Sequence, residues 1–405
     1  MHPKILVALL ALCVCFNSIS AVAQTSSFQF LEKPGPYPVG LKVVNQYDHS
    51  RSFPSAPGSS GTSSAGHGDR PLQTLIWYPS SGSAARPMTV GDYARLAAME
   101  IRFDIPAAAS KWAALLMGSS NVPLWAVRDA PLATGHFPVV IYAPSDSSVA
   151  WENADLCEYL ASHGYVVLAS PSMGASTRDM TDDLPGIDTQ ARDISFLISY
   201  AKTLPDADLS KVAVAAWSWG GISSLFAAAR DPRIDALVAM DGSMRYYPGL
   251  VQRAADVRPD RMTLPLLFFT RGYLSLEDWD GFNEDGKLGP NVLNQWIHGD
   301  LLAVHMLGMS HPEFSSMIER KHDTKRFAKN QTADYDRDDA NTSYAWVVRY
   351  TVNFLDAYLK HDAAAAAFLK RTPAENGVPR HFMAASFRPA QKSGSPSGTG
   401  TVSGP

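Results

Sequence analysis

The residues best placed to do chemistry lie in Ala216-Trp217-Ser218-Trp219-Gly220-Gly221. A serine hydroxyl becomes a useful nucleophile when a base removes its proton and the backbone presents it clear of its neighbours. A sharp strand-to-helix turn does the presenting, and it closes only when the residues two before and two after the serine are small. Here those flanks are Ala216 and Gly220, the apolar run Val212 to Ala216 leads in, and Gly221 to Ala228 reads as the start of a helix. Ser218 is the predicted nucleophile. Ala216 stands where the pattern carries its first glycine, which adds only a methyl group.

The base that activates such a serine is a histidine placed after the last core strand. His298, His305, His311, His322, His361 and His381 are the candidates. His311 fits, because it follows the apolar run Leu301 to Met306 and the short link Leu307-Gly308-Met309-Ser310. His305 lies inside that run and reads as core, while His298 and His322 read as solvated loop residues. An acid must orient the imidazole. Asp241, directly ending the run Ala236 to Met240, is preferred over its rival, the acidic loop Glu277-Asp278-Trp279-Asp280, because the tip of a buried strand has fixed geometry.

The negative charge developing during acyl transfer needs two hydrogen-bond donors. The Trp219 N–H, at the start of the predicted helix, is one. The second is expected from the turn Ile141-Tyr142-Ala143-Pro144-Ser145-Asp146, and since Pro144 has no N–H, Ser145 is the candidate; a plain turn is the alternative. Together the residues imply acyl transfer through a covalent intermediate, with Ser218 attacking, His311 moving the proton, Asp241 orienting and Trp219 with Ser145 holding the oxyanion.

The elements that must position these groups are readable as short apolar runs alternating with amphipathic helices. Strands are predicted at Gly40 to Tyr47, Gln73 to Tyr78, Val139 to Ala143, Tyr165 to Ser170, Val212 to Trp217, Ala236 to Met240, Leu264 to Thr270 and Leu301 to Met306. Helices are predicted at Trp151 to Ser162, Thr189 to Thr203 and Gly221 to Arg230, with a closing helix at Ala345 to Leu359 that puts Val347, Tyr350, Phe354 and Tyr358 on one face. Unbroken apolar strands imply burial on both faces, hence a doubly wound, mostly parallel α/β sheet. Residues 24–390 are expected to form one domain, with a helical insertion at Met88 to Ala130 that either lids the site or packs on the sheet. The segments Ser52 to Arg70 and Leu274 to Gln295 read as long loops, and the Ser-, Gly- and Pro-rich tail 391–405 as disordered.

Residues 1–23 have the pattern of an export signal: Lys4, an apolar run from Ile5 to Phe16, and Ala21-Val22-Ala23 as the cleavage site. A membrane anchor would need roughly 20 apolar residues, and this run is shorter. The chain is therefore expected in the periplasm or outside the cell, with no transmembrane segment once cleaved. With a net charge of −4 and no basic stripe, nucleic acid is not an expected partner. Of the three cysteines only Cys157 lies beyond the leader, so no internal disulfide is expected. Asn283-Glu284-Asp285-Gly286 resembles part of a calcium loop, but Gly281 and Val292 stand where its first and last ligands belong, and no zinc-like spacing occurs; no cofactor or metal is expected.

Four stretches resemble the branch of the α/β-hydrolases that holds the platelet-activating-factor acetylhydrolases and dienelactone-hydrolase-like proteins. They are Gly35-Pro36-Tyr37-Pro38-Val39-Gly40, Leu75-Ile76-Trp77-Tyr78-Pro79, the serine turn, and Met309-Ser310-His311-Pro312-Glu313-Phe314. The resemblance implies an α/β-hydrolase fold and a secreted serine esterase acting on a small-molecule or lipid ester without cofactor, its acid soon after the serine. Those relatives tend to have His-Gly where this chain has Ala143-Pro144, and dienelactone hydrolases proper use cysteine where this chain has Ser218. Amide or thioester hydrolysis, and a non-catalytic binding role, are the competing expectations.

Overall fold

The computed structural model describes residues 27–54, 67–103, 114–272, 290–321 and 335–391. The expected export signal, the rival acids Glu277 to Asp280, the calcium-like stretch, His322 and all of the tail but Gln391 lie outside them.

Ten strands form one sheet: β1 (Val39–Pro54), β2 (His67–Pro79), β3 (Val127–Arg128), β4 (Phe137–Ala143), β5 (Val166–Ala169), β6 (Ala207–Trp217), β7 (Ala236–Met240), β8 (Leu266–Arg271), β9 (Leu301–Met306) and β10 (Met383–Arg388). Their spatial order is β10-β9-β8-β7-β6-β4-β5-β2-β1-β3. From β5 through β4, β6, β7 and β8 to β9 every pairing is parallel, as the unbroken apolar runs predict. The β1–β2 hairpin joins β5 antiparallel on one side, and β10 joins β9 antiparallel on the other.

The helices used below are α1 (Val90–Leu96), α2 (Ala154–Ser162), α3 (Leu184–Ala201), α4 (Trp219–Arg230), α5 (Pro248–Arg253), α6 (Val292–Gln295), α7 (Ser316–Glu319) and α8 (Arg337–Leu359). Successive strand residues point to opposite faces, so the sheet has two cores. Val140, Tyr142, Ala213, Ala215 and Trp217 pack with α2 and α8, while Val139, Ile141, Val212, Val214 and Ala216 pack with α3 and α4.

Four sequence expectations change. The loop Ser52 to Arg70 is shorter, because β1 and β2 continue their ladder to Pro54 and His67 across an irregularity between Asp48 and Ser52. The closing helix starts at Arg337, not Ala345: Asp336 caps it, and Arg337, Asn341 and Ser343 of its polar first turns are buried, Arg337 in an ion pair with Glu319 that periodicity cannot reveal. The segment predicted as a loop up to Gln295 ends in α6, capped by Asn291. Of the insertion at Met88 to Ala130, the described residues include α1, two 3-10 turns and β3, so these described parts are only partly helical. Tyr93, Leu116, Leu124 and Ala126 are buried in the core, whereas Leu115 and Met117 are exposed. Strand β10, short and mixed in polarity, carries too weak a pattern to be read in advance.

Candidate active site

Register brings the candidate residues to one edge. Ala143 of β4 pairs with Ala216 of β6, Trp217 with Met240 of β7, and Met240 with Phe269 of β8. Residues 144–146, Ser218 and Asp241 thus leave the sheet side by side at its carboxyl edge, where open α/β sheets place their ligands.

Ser218 occupies the turn between β6 and α4 with φ 54° and ψ −122°, a conformation that L-residues adopt only under constraint. The constraint is visible: its N–H donates to the Met240 carbonyl at 3.1 Å, and its own carbonyl accepts from Gly221 at 2.9 Å and Ser243 at 2.8 Å. Gly220 is needed for close approach, since a Cβ there would lie 2.2 Å from the Ala143 carbonyl oxygen. Gly221 likewise faces Gly242, whose Cα would be 2.6 Å from an added Cβ. The elbow can sit against both the 143–144 turn and the segment after Asp241 only because these residues lack side chains.

His311 begins a 3-10 turn (His311–Phe314), with Pro312 at its second position and Ser310 N–H bonded to the Glu313 carboxylate. Its Nε2 is 2.9 Å from Ser218 Oγ, and its Nδ1 is 2.5 Å from Asp241 Oδ2. The Trp217 ring lies 5.2 Å from the imidazole, tilted 35°, and its Nε1 donates to the His311 carbonyl at 3.2 Å. Asp241 is fully buried, whereas the His311 side chain is 32% exposed, so the chain of hydrogen bonds runs from core to surface.

Asp241 has supports that its sequence position does not disclose. The Tyr246 hydroxyl donates to its Oδ1, and Arg271 Nε is 3.4 Å from its Oδ2. The carboxylate and burial push the Tyr246 hydroxyl well above its ordinary pKa, burial contributing most, so it stays a donor. His305, in β9, is buried, and desolvation lowers its pKa although Asp241 opposes this.

The oxyanion side differs from expectation. Trp219 is the first residue of α4, so its N–H has no acceptor within the helix. Ser145, however, is already engaged: its N–H donates to Glu152 Oε1 at 2.7 Å, its hydroxyl to Glu152 Oε2 at 2.8 Å, and its carbonyl accepts from Ser172 Oγ. Pro144 O accepts from Gln190 Nε2 at 2.7 Å. The first N–H in this turn without an acceptor among the described residues is that of Asp146. Serine at 145 looks free in sequence because its partner is a carboxylate seven residues on, inside what reads as a helix start. Trp217 and Trp219 are both buried, so neither indole forms an open apolar mouth.

Among the solved structures, the fold of this chain is similar to that of a ferulic acid esterase from Streptomyces cinnamoneus, with a TM-score of 0.61 over 89% of this chain and 99% of that one. The fold is that of an α/β-hydrolase. Sequence identity over the match is 19%, a level at which the likeness carries the fold alone. No family model matches the chain, and neither does any curated protein. Among the described residues of this α/β-hydrolase fold, no group of three or more His, Cys, Asp or Glu side chains is arranged to hold a metal, and no helix is long and apolar enough to cross a membrane.

Proposed function

We propose that the protein hydrolyses carboxylic esters through an acyl-enzyme formed on Ser218. The observation that carries this reading is the continuous pair of contacts from Ser218 Oγ to His311 Nε2 and from His311 Nδ1 to Asp241 Oδ2, at 2.9 and 2.5 Å. His311 takes the serine proton as Oγ attacks the ester carbonyl, and Asp241 stabilises the resulting imidazolium. The Trp219 N–H holds the oxyanion, joined by the Asp146 N–H in place of Ser145's. His311 then protonates the leaving alkoxide. Water, deprotonated by the same imidazole, attacks the acyl-enzyme and releases the acid.

The four resembling stretches favour a secreted esterase of the acetylhydrolase and dienelactone-hydrolase-like branch, with export resting on residues 1–23. The occupied Ser145 N–H gives one reason to weigh a non-catalytic binding protein instead. A fluorophosphonate probe separates the two, because a binding protein leaves Ser218 unlabelled.

Ser218→Ala is expected to abolish hydrolysis of p-nitrophenyl acetate, roughly 10³-fold or more in kcat, with unchanged thermal unfolding. Retained turnover would overturn the assignment. A panel of acetyl, longer acyl and hydroxycinnamoyl esters, with matched amides and thioesters, then sets the substrate class.

A further inference from the structure

We infer that Glu152 is a positioning residue for this hydrolysis, clamping the oxyanion turn and tying it to the loop that carries His311; the inference rests on the ester-hydrolase reading above. Glu152 is fully buried. Its carboxylate accepts from Ser145 N, Ser145 Oγ and Tyr142 Oη, the last at 3.0 Å, so three donors of the β4 end and its turn converge on one side chain. No cation is among these partners. Burial pushes its carboxyl up to about 7. A buried carboxyl without a counter-ion is costly, and packing alone would be served by an apolar residue. What an apolar residue lacks is two acceptor oxygens held at fixed separation.

Glu152 and its neighbour Asn153 also hold the histidine loop. The Glu152 carbonyl accepts from Met317 N at 3.0 Å and Ser315 Oγ at 2.9 Å. Next to it, Asn153 Nδ2 donates to Tyr142 Oη at 2.8 Å and to the Phe314 carbonyl at 2.9 Å, while Asn153 Oδ1 accepts from Ser316 N at 2.9 Å. Phe314 closes the 3-10 turn that begins at His311. Thus one dipeptide at the start of α2 sets the distance between the turn at 145–146 and the loop of the base. With its N–H drawn into Glu152, Ser145 is withdrawn from the oxyanion, and the next peptide group, Asp146 N–H, takes that place.

The test compares two substitutions that part charge from reach. Glu152→Gln keeps the length, accepts Ser145 N–H and Tyr142 O–H on one oxygen, and donates to a reoriented Ser145 hydroxyl. Glu152→Asp keeps the charge and withdraws by a methylene. Positioning predicts that E152D loses about tenfold or more in kcat with KM within about twofold, as expected when only transition-state contacts suffer, and that E152Q retains most of the wild-type kcat. E152D with wild-type kcat, or E152Q as the poorer enzyme, overturns the inference. Ser145→Gly covers a misfolded E152D: it removes the anchored hydroxyl and loosens the turn, and must lower kcat about fivefold or more at unchanged KM; wild-type kcat there also overturns it. Failure of the esterase reading itself would look different, since Ser218→Ala would then remain active.

Discussion

At the scale of single residues, Ser218 is held at positive φ by bonds from its own peptide group to Met240, Gly221 and Ser243, and strain of this kind typically costs about 1–3 kcal/mol. That cost places Oγ within hydrogen-bond reach of a half-exposed imidazole instead of inside the sheet. The candidate nucleophile was legible in the chain because small residues at 216 and 220 have few other uses between an apolar run and a helix. The engagement of Ser145 N–H was not, since sequence shows which residues own an N–H and not which acceptor that N–H meets. If Asp146 supplies the donor, Asp146→Pro should lower kcat by about 10²-fold or more, the loss typical of one missing oxyanion donor, with KM little changed. Steady-state kinetics on an activated ester check this, and an unaffected D146P would return the role to another group.

Elements meet at the active edge through their smallest residues. The β6–α4 elbow lies against the end of β4, and an added methyl at Gly220 would come 2.2 Å from Ala143 O and 2.6 Å from Pro144 O, both backbone atoms. Backbone cannot step aside as a side chain can, so Gly220→Ala must push α4 and the 143–146 turn apart. The expected result is destabilisation of about 1–3 kcal/mol, the usual range for overpacking, together with loss of most esterase turnover. Urea unfolding and kinetics on the same preparation test it; a G220A protein with native stability and rate would contradict the packing described. The core strands and the principal helices were legible here from apolar runs and period alone. The start of α8 and strand β10 were not, because the first is a polar cap and turn with Arg337 buried in an ion pair and the second is a half-buried edge.

Across the whole molecule, α2 and the residues that lead into it distribute buried carboxyls to their surroundings. Glu152 faces the oxyanion turn, Asp155 pairs with Arg320 beyond α7, and Glu158 takes Tyr93 Oη at 2.6 Å, Trp125 N at 2.5 Å and Ala126 N at 3.1 Å from the insertion. Burial pushes Glu158 up to about 8 from its ordinary 4.5, against the pull of its hydrogen bonds. Between those values the unfolded chain has released this proton and the folded chain has kept it, so stability falls as pH rises, and the fall ends above about 8. Glu158→Gln copies the protonated acid without its titration. Its Tm relative to the parent protein should therefore rise progressively from pH 5 to pH 8 and then level off. A difference independent of pH would show that Glu158 does not titrate in this window.

The chain by itself determined the alternation of strands and helices, and with it the order in which Ser218, Asp241 and His311 reach the carboxyl edge, because burial period and turn chemistry are local properties. It ranked Asp241 above a later acidic loop on the same local ground, the tip of a buried strand. Tertiary structure alone decided what lies between residues distant along the chain. His311 is 93 residues from Ser218, yet their side chains meet; Tyr246, Arg271 and Trp217 gather around Asp241 and His311. Ser145 lost its expected part in the same way, since a hydrogen bond is fixed by where donor and acceptor are brought in three dimensions, and Glu152 was brought there first.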